Sequence, residues 1–468
     1  VAARYAAWYE MFHRSQGTVP GKPASLKDCE RRLPEIRDLG FDVIYFVPVH
    51  PIGRTHRKGP DNSLHAGPDD PGSPYAIGSE EGGHTALHKD LGTLDDFRHF
   101  VAAAASHGME VALDFAIQCS PDHPWIKSHP EWFIFRPDGT IKYAENPPKK
   151  YQDIVNVDFY TVDKEGLWHE ILHSVLFWVD LGVKIFRVDN PHTKPVPFWE
   201  WLIREIRRDH PEVIFLAEAF TRPPMMRKLA KVGYSQSYTY FTWRNFKHEL
   251  TEYLIELTQS PVAEYMRPNF FPTTPDILPE FLQKGGRPAF ATRFVLAATL
   301  SSVYGIYNGY ELCENAAVPG KEEYLHSEKY QYKVWDWDRP GNIKDLIAKV
   351  NRIRRENPAL QELVNLRFYH ASDDNILFYG KMTPDRSNMI LIAVNLDPFD
   401  AHAGDLEIPL HDLGLGEHDQ FVVEDLLSGA RHLWSGFRQH VRIGPHCNQA
   451  MILRVVPWHH VDFESPSF

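Results

Sequence analysis

The sequence has little cysteine, no excess of positive charge and no long apolar run, and each absence excludes a class of protein. Its four cysteines, Cys29, Cys119, Cys313 and Cys447, lie far apart in 468 residues. They form neither a CxxC metal motif nor a small disulfide framework, so we expect free thiols and a reducing cytoplasm. The 62 acidic residues outnumber the 50 basic ones, for a formal charge of −12. Without a Lys/Arg-rich run, a binder of nucleic acid or of an anionic membrane is not expected.

Segments that would insert into a membrane are also missing from the pattern. No apolar stretch approaches the length of a membrane span. The start, VAARYAAWYEMF, lacks the signal-peptide pattern of a basic segment followed by an apolar segment and a cleavage site. We therefore expect a soluble protein. Because the chain begins at Val1 and enters a strand-like segment almost at once, we also expect it to be the C-terminal part of a longer polypeptide.

What the sequence does contain is enough apolar material for a large core and a regular alternation of element types. Hydrophobic residues make up 43% of the chain and aromatic residues 13%. Helical patterns separate eight β-like runs, RYAAWYEMF, DVIYFVPVH, EVALDFAI, KIFRVDN, VIFLAEAF, QSYTYFTW, RPNFFP and VYGIYNG. This number predicts an α/β fold of the (β/α)₈ barrel type in preference to an open doubly wound sheet.

Two changes of pattern divide the chain into domains. Residues 118–165 are rich in Pro, Asp, Lys and aromatics and read as a domain inserted after the third strand. Residues 1–117 and 166–361 would then form the catalytic barrel. From residue 362 to 468 the pattern changes to short alternating β runs separated by turn residues, which predicts an antiparallel β-sandwich.

Acidic residues stand at the ends of four of the predicted barrel strands. They are Asp114 in ALDFA, Asp189 in FRVDN, Glu218 in FLAEAF and Asp276 in FFPTTPDIL. The strand ends of such a barrel carry the active site, whereas each carboxylate taken alone could equally be a salt-bridged or capping group. Arg187 precedes Asp189 by two residues and so shares its strand face. Convergent carboxylates without His/Cys ligand clusters indicate glycosyl chemistry.

The order and placement of this set resemble the four short motifs of the α-amylase superfamily, glycoside hydrolase family 13. The resemblance extends over the barrel, the insertion and the sandwich, and SPYAIGS and HKDLGTLDDFRHFV support it. It implies that Asp189 is the nucleophile, Glu218 the general acid/base and Asp276 the stabiliser of the transition state. Arg187 would hold Asp189 ionised and oriented, since a neighbouring cation lowers a carboxylate's pKa.

The departures from the superfamily pattern concern its sugar-binding histidines. Superfamily hydrolases usually continue from the first Asp to an Asn-His pair, where this chain has Gln118 and Cys119. They usually have His before the last Asp, where this chain has Pro275. A simple amylase is therefore in doubt. The Asn commonly serves calcium, so we expect neither a structural metal nor a cofactor.

The altered stretches closely resemble the bacterial maltosyltransferases that use α-maltose 1-phosphate to extend α-1,4-glucans. They are DFAIQCSPDHPW, NPPKKYQDI, FRVDNPHTKP, FFPTTPDIL and YNGYELCENAAVPGKEEYLHSEKY. This resemblance implies that Lys58, Gln118, Lys149, Tyr151 and Asn190 surround the donor phosphate. Ammonium, amide and phenol donors suit a phosphate dianion. Without the resemblance, each lysine would be read as a solvated surface residue.

Further sugar contacts follow from the same resemblance. Tyr75 would stack on the sugar at the cleavage point and Asp114 would lie beside it, His192 and Lys194 would contact the acceptor, and Glu328 and Lys329 would touch the distal glucose of the donor. A tyrosine at a strand end also fits simple packing. The tryptophans Trp125, Trp132 and Trp243 fit the core as well as a sugar platform.

The implied reaction is retaining transfer of a maltosyl unit from α-maltose 1-phosphate to the non-reducing end of an α-1,4-glucan, with release of phosphate. Two other classes of function stay open. One is another α-glucan hydrolase or transglycosylase, and the other is a catalytically silent glucan-binding protein. The relatives carry N-terminal domains that contribute to a homodimer, so the oligomeric state of this chain stays open.

Overall fold

The first three strands of the barrel lie side by side in chain order. The computed structural model describes residues 2–146, 149–445 and 449–457, and Cys447 lies outside them. Parallel pairs join β1 to β2 and β2 to β3. The elements of this part are β1 Ala6–Met11, α1 Leu26–Arg31, α2 Leu33–Asp38, β2 Val43–Phe46, α3 Leu94–Ser106 and β3 Glu110–Phe115.

Local signals fix where these helices begin and end. Thr93 and Asp96 form a reciprocal capping box at the start of α3, with Asp96 N donating to Thr93 Oγ1 at 3.2 Å and Thr93 N to Asp96 Oδ2 at 2.8 Å. The sequence pattern predicts one helix over residues 26–40, but the structure breaks it at Arg32. Pro34 follows in the first turn of α2, where the missing N–H costs nothing, whereas inside a continuous helix it would remove a hydrogen bond.

The chain leaves the barrel after β3 and returns to it at α5. This excursion contains α4 Pro124–Ser128 and an antiparallel pair, β4 Tyr143–Asn146 and β5 Lys149–Val155. The end of β5 is fastened to the start of the excursion, because Cys119 N donates to Val155 O at 2.9 Å and Val155 N to Cys119 O at 2.7 Å. The pair β4–β5, called the hairpin below, is thereby held over the barrel mouth.

The remaining strands complete a closed barrel. The eight strands follow one another around the barrel in the order β8, β7, β6, β3, β2, β1, β10, β9. A parallel bridge from Ser237 to Pro268 joins the two ends of this sheet. The predicted (β/α)₈ barrel is therefore confirmed. The elements are α5 Lys164–Asp180, β6 Ile185–Asp189, α6 Val196–Asp209, β7 Ile214–Glu218, α7 Pro223–Lys231, β8 Gln236–Ser237, α8 Lys247–Gln259, β9 Asn269–Phe270, α9 Glu280–Leu300, β10 Val303–Tyr307 and α10 Lys344–Glu356.

The β-like run QSYTYFTW is a strand only at its first two residues. The rest turns into a single 3₁₀ turn, Tyr240–Trp243, entered through Thr239, whose hydroxyl accepts from Phe241 N at 3.3 Å. The hydroxyl of Tyr253 in α8 also accepts from Tyr240 N at 3.0 Å. Hydrogen bonds to side chains thus replace the strand ladder, and the turn carries Trp243 to the rim of the barrel.

Large side chains fill the barrel interior. Trp8, Tyr45, Tyr238 and Phe271 are buried there together with small aliphatic residues. Gly305 on β10 leaves the space that the Phe271 ring occupies, since a Cβ at this position would lie 2.2 Å from the ring. Large rings facing small residues fill the barrel as a packed core, with the chemistry at its mouth.

The described residues from 366 onward form two antiparallel sheets around a separate apolar core, as the alternating pattern predicts. One sheet has six strands in the order β11, β12, β13, β18, β15, β16, and the other pairs β14 with β17. The boundaries at 117/118, 165/166 and 361/362 stay predictions. The elements are β11 Leu366–Tyr369, β12 Ile376–Met382, β13 Met389–Asn395, β14 His402–Glu407, α11 Leu410–Leu413, β15 Gln420–Asp425, β16 Arg431–Ser435, β17 Arg438–Ile443 and β18 Ala450–Pro457.

Among the described helices, none combines the length and apolar character that crossing a membrane would need.

Candidate active site

The predicted carboxylates meet at the carboxyl ends of the barrel strands. Asp114 lies on β3 next to Arg187 on β6, and Asp189 at the end of β6 lies next to Glu218 at the end of β7. Asp276 follows β9 at the same mouth. Because all these strands are parallel, their last residues come together at one end of the barrel.

One guanidinium group organises three of the four carboxylates. Arg187 Nη1 donates to Asp189 Oδ1 at 2.9 Å and to both oxygens of Asp114 at 3.1 Å, and Arg187 Nη2 lies 3.2 Å from Glu218 Oε1. The Arg187 side chain is 4% exposed. Burial alone would lower its pKa, but Asp114 and Glu218 raise it well above the ordinary value. A permanent cation therefore lies beneath the site.

Asp114 anchors this guanidinium from below. Its Oδ2 also accepts from the hydroxyls of Tyr45 at 2.6 Å and Tyr75 at 2.8 Å. Burial raises the pKa of Asp114 to about 6 despite Arg187. With its oxygens occupied by protein donors, Asp114 fits a role in positioning Arg187 better than a direct contact to sugar.

The surroundings of Glu218 favour its protonated form. Burial raises its pKa to about 8, and the neighbouring Asp189 and Asp276 act in the same direction, while Arg187 and the backbone N–H of Asn190 oppose them. Glu218 and Asp189 both contact Arg187 but have different surroundings. Such a difference is the usual basis for dividing the acid and nucleophile roles between two carboxyl groups.

Asn190 connects the two groups. It has left-handed backbone angles, φ 42° and ψ 52°, which Asn adopts more easily than most residues. In this conformation its backbone N–H donates to Glu218 Oε2 at 3.1 Å, and its Nδ2 lies 3.4 Å from Asp189 Oδ2. The resemblance implies that Asn190 is a phosphate ligand, and this role stays a prediction. In the structure the side-chain amide of Asn190 lies nearest to Asp189 Oδ2.

Asp276 has its own cation. Lys329 Nζ donates to its two oxygens at 2.7 and 2.9 Å and also lies 4.7 Å from the centre of the Tyr75 ring. Burial favours a raised pKa for Asp276, but Lys329 and then Lys149 outweigh it and lower the pKa below the ordinary value. This cation comes from the loop after β10, 53 residues further along the chain than Asp276.

Most of the predicted contact residues line a single cavity above these carboxylates. The hairpin contributes two of them, and Lys149 Nζ lies 3.8 Å from Glu323 Oε1 in the loop after β10, so the hairpin reaches across the mouth. Lining the cavity together with Asp189, Glu218 and Asp276 are Tyr75, Gln118, Lys149, Tyr151, Asn190, His192 and Lys329.

Three predicted residues lie behind the cavity wall instead. Lys58 donates to Gln152 Oε1, and Lys194 donates to Asn190 O at 3.3 Å. Glu328 accepts from Asn308 at 2.7 Å and from Trp335 at 3.0 Å, as well as from Tyr307. Burial lowers the pKa of both lysines and raises that of Glu328. Their roles in binding stay predictions.

Sequence reasoning missed several residues of the cavity wall. Phe220 follows Glu218 by two residues, and this spacing beyond a strand end could have indicated it. Trp125 and Trp132 are buried, 9% and 2% exposed, whereas Trp243 is half-buried beside Phe220. No comparable signal marks the others, which are Asn62, Ser73, Asp153, Ile154, Ile277 and Tyr330.

One buried group has the composition of a metal site, formed by His84, Cys119 and His123. The two histidine rings bond each other at 3.1 Å, His84 Nε2 lies 2.9 Å from Ala116 O, and His123 Nδ1 accepts from Trp125 N at 3.1 Å. Every ring nitrogen has a protein partner, and burial lowers both histidine pKa values. This group fits a neutral structural pair better than a set of metal ligands.

The fold and the arrangement of the mouth define the class as a barrel of the α-amylase type. Two solved structures support this on fold alone. A maltogenic α-amylase from Thermotoga neapolitana aligns with a TM-score of 0.77 at 20% identity, over 98% of this chain and 100% of the other. An α-amylase from Geobacillus thermoleovorans, complexed with acarbose, aligns with a TM-score of 0.75 at 14% identity, over 98% and 100%.

Sequence comparison narrows the class, since the chain belongs to the α-1,4-glucan:maltose-1-phosphate maltosyltransferase family. The Rhodospirillum rubrum member is 64% identical over 97% of this chain and 66% of its own length. The Cereibacter sphaeroides member is 58% identical over 97% and 68%. A family model described as GLGE, C-terminal, matches residues 368–455. The chain thus spans about two thirds of the length of these relatives.

Proposed function

We propose that this chain transfers a maltosyl unit from α-maltose 1-phosphate to the non-reducing end of an α-1,4-glucan and releases phosphate. The observation that carries the proposal is one cavity in which Lys149, Gln118 and Tyr151 lie beside Asp189 and Glu218. Ammonium, amide and phenol donors suit a phosphate leaving group, whereas hydrolysis of a neutral glucan needs no such donors.

In the first step Asp189 attacks the anomeric carbon and phosphate departs, leaving a β-maltosyl ester on the enzyme. Arg187 holds the attacking carboxylate in place through its 2.9 Å hydrogen bond. The Lys149 ammonium compensates the charge that develops on the departing phosphate, and the Tyr151 hydroxyl donates a hydrogen bond to it. Phosphate is a good leaving group, so protonation by Glu218 contributes less to this step than to the next.

In the second step Glu218 removes the proton from the acceptor's 4-hydroxyl, which displaces Asp189 with net retention. Esterification removes the charge of Asp189, one of the causes that raise the pKa of Glu218. Glu218 therefore gives up its proton, to the departing phosphate or to solvent, once Asp189 is esterified, and the resulting carboxylate can accept the proton of the acceptor's hydroxyl.

Transfer must also compete with water. Water is present at about 55 M against millimolar acceptor, so suppressing hydrolysis requires a preference of roughly 10⁴ to 10⁵, or about 6 kcal/mol. A well-formed acceptor site and exclusion of the attacking water would supply it.

The two alternatives account for less of the site. A hydrolase or another transglycosylase leaves Lys149 and Tyr151 without a purpose. A silent binding protein leaves unexplained the shared guanidinium between Asp189 and Glu218. A reducing cytoplasm belongs to the same proposal, and the free thiols Cys29, Cys119 and Cys313 support it. The homodimer is a prediction for the full-length relatives and not for this chain.

Incubation with α-maltose 1-phosphate and maltohexaose tests the proposal. We expect release of phosphate together with products lengthened by two glucose units, measured by a phosphate assay and mass spectrometry. Products lengthened by one unit, or only shortened ones, would contradict the assignment of the donor. Binding of maltohexaose without any phosphate release would instead support the silent alternative.

A further inference from the structure

The loop after β10 carries the lysine that pairs with Asp276. It runs over residues 308–343, all of them described, and contains neither a helix nor a strand. Connections of this length without secondary structure are uncommon in compact domains. Lys329 nevertheless reaches Asp276 with two hydrogen bonds of 2.7 and 2.9 Å. Contacts with other elements must therefore fix the loop backbone near Lys329.

Arg14 supplies such a contact from a distant part of the chain. It lies in the single 3₁₀ turn His13–Ser15 just after β1 and is 5% exposed. Its Nε and Nη2 donate to Glu328 O at 3.0 and 2.9 Å, and its Nη2 also donates to Lys329 O. One planar guanidinium thus holds two consecutive backbone carbonyls of the loop, a fork that the single nitrogen of a lysine does not reproduce.

The side chain of Glu328 makes a second set of contacts at the same place. Its Oε1 accepts from Asn308 Nδ2 at 2.7 Å and its Oε2 from Trp335 Nε1 at 3.0 Å, so both oxygens are bonded. This part of the loop is therefore held through its carbonyls as well as through the Glu328 side chain. The Lys329 side chain starts from this fixed backbone, so it loses less conformational freedom when it binds its carboxylate partner.

The electrostatics of Arg14 favour a positioning role over a stabilising one. The bonded nitrogens described above face carbonyl oxygens, and Nη1 has no partner among the described residues. Burial lowers the pKa of Arg14 to about 10, while Tyr332 and Glu328 act in the opposite direction, so the guanidinium stays charged at neutral pH. A buried cation bonded to carbonyls contributes little net stability, because its desolvation is costly.

We propose that Arg14 is a positioning residue for the reaction with the donor. By holding the carbonyls of Glu328 and Lys329, it keeps the Lys329 ammonium on Asp276. Arg14 itself is not among the residues that line the cavity of the described chain. This inference rests on the proposed function and adds a residue that acts on the donor through another side chain.

A residue that acts through Lys329 has a specific signature in a double-mutant cycle. Loss of Arg14 should matter while Lys329 is present and should have little further effect once Lys329 has been removed. A purely structural role would lower activity to the same extent in both backgrounds.

The test compares Arg14→Met, Lys329→Met and the double variant by phosphate release from α-maltose 1-phosphate. We expect Arg14→Met to lower donor kcat/KM about ten- to thirty-fold in the unsubstituted background and less than about twofold in Lys329→Met. Arg14→Lys keeps the charge but not the fork, so it should lower donor kcat/KM only about two- to five-fold. It supplies the same cycle if Arg14→Met fails to fold.

The pH profile gives a second readout. Burial raises the pKa of Asp276, whereas Lys329, then Lys149 and Arg187, lower it. Displacing Lys329 should therefore raise this pKa, and the acid limb of the donor profile should move to higher pH in Arg14→Met. In the Lys329→Met background, replacing Arg14 should leave the limb where Lys329→Met puts it.

The matched control is Arg354→Met. Arg354 is also buried, 1% exposed, and its Nη2 donates to Ser302 O at 2.8 Å, but Ser302 precedes β10 at the opposite end of the barrel from the cavity. This variant should lower the thermal midpoint as Arg14→Met does, yet leave donor kcat/KM within about twofold and the acid limb in place.

Hydrogen exchange tests the contact without any donor. The backbone amides of residues 327–331 should exchange at least about tenfold faster in Arg14→Met than in the unsubstituted chain or in Arg354→Met. Equal losses of donor kcat/KM on replacing Arg14 in the two backgrounds, or unchanged kinetics in Arg14→Met, would overturn the inference. Absence of phosphate release from the unsubstituted chain would overturn the proposed function instead, and the exchange rates would still test the Arg14 contact.

Discussion

The two sides of the cavity differ in charge: one presents lysine ammonium groups beside the catalytic carboxylates, and the other presents aromatic rings. On the side of β10 and the hairpin, Lys329 is buried and holds Asp276 through two short hydrogen bonds, and Lys149 faces the same space. On the side of β7 and β8, Phe220 lines the cavity and packs against Trp243, whose indole donates a single hydrogen bond. A phosphate dianion needs compensating charge, whereas a neutral glucan needs apolar area with directional hydroxyl partners.

The difference also shows how each side is stabilised. Burying an ammonium group is costly unless a carboxylate is near, and Asp276 fulfils that role for Lys329. Burying aromatic rings is favourable by itself, at about 25 cal/mol per Å² of apolar surface. The side with the lysines should therefore be sensitive to pH and to charge-altering substitutions, while the side with the aromatic rings should respond mainly to changes of shape.

The largest effect should come from substitution of the catalytic carboxylates Asp189 and Glu218, which lie between the two sides. Asp189→Ala should lower phosphate release by about 10⁴-fold or more, because no nucleophile remains to form the ester. Glu218→Ala should still accumulate maltosyl-enzyme, since phosphate departs without full protonation. A phosphate assay measures the release, and intact mass spectrometry after mixing with donor detects the maltosyl-enzyme. A Glu218→Ala protein without the maltosyl adduct would contradict the division of roles.

A smaller effect, confined to the reaction with the donor, should follow from Lys329→Met. Donor kcat/KM should fall by about 10²-fold, because removing one partner of a buried ion pair leaves the other uncompensated. Lys329 lowers the pKa of Asp276, so its loss should raise that pKa and move the acid limb of the pH profile to higher pH.

The control for this substitution is Lys284→Met on α9, where the lysine side chain is 68% exposed. It should leave the pH profile unchanged. An acid limb that stays in place in Lys329→Met would show that Lys329 does not set the charge of Asp276.

The smallest effect should come from the hairpin. Lys149→Met should raise the donor KM about tenfold with little change in kcat, as expected for one charge-assisted hydrogen bond to phosphate. The donor KM should also depend less on ionic strength, because a partly exposed charge is screened by salt. Steady-state kinetics at two salt concentrations measures both.

A matched control for this variant is Lys142, an exposed lysine just before β4. It is not among the residues that line the cavity or the space adjoining it, so Lys142→Met should behave like the unsubstituted chain. Equal changes in the two variants would mean that general surface charge, and not Lys149, attracts the donor.

The sequence predicted the main secondary-structure elements and the fold of the molecule well. The eight β-like runs, the excursion after β3 and the C-terminal sheets all appear, and the family is confirmed. It was less accurate where side chains override local pattern. QSYTYFTW has strand periodicity, but Thr239 and Tyr253 supply hydrogen bonds that turn it into a 3₁₀ turn. The roles of the predicted site residues stay predictions.

The sequence by itself determined which chemical groups stand at the strand ends, because a two-residue period and an apolar strand fix the position of Arg187 and Asp189 from local pattern alone. Only the tertiary structure decided which long side chains reach the cavity. Lys329 faces Asp276 while Lys58 turns to Gln152, although both belong to long loops that follow barrel strands. The partner of a flexible side chain is set by elements far away in the sequence, and those elements meet only when the barrel closes.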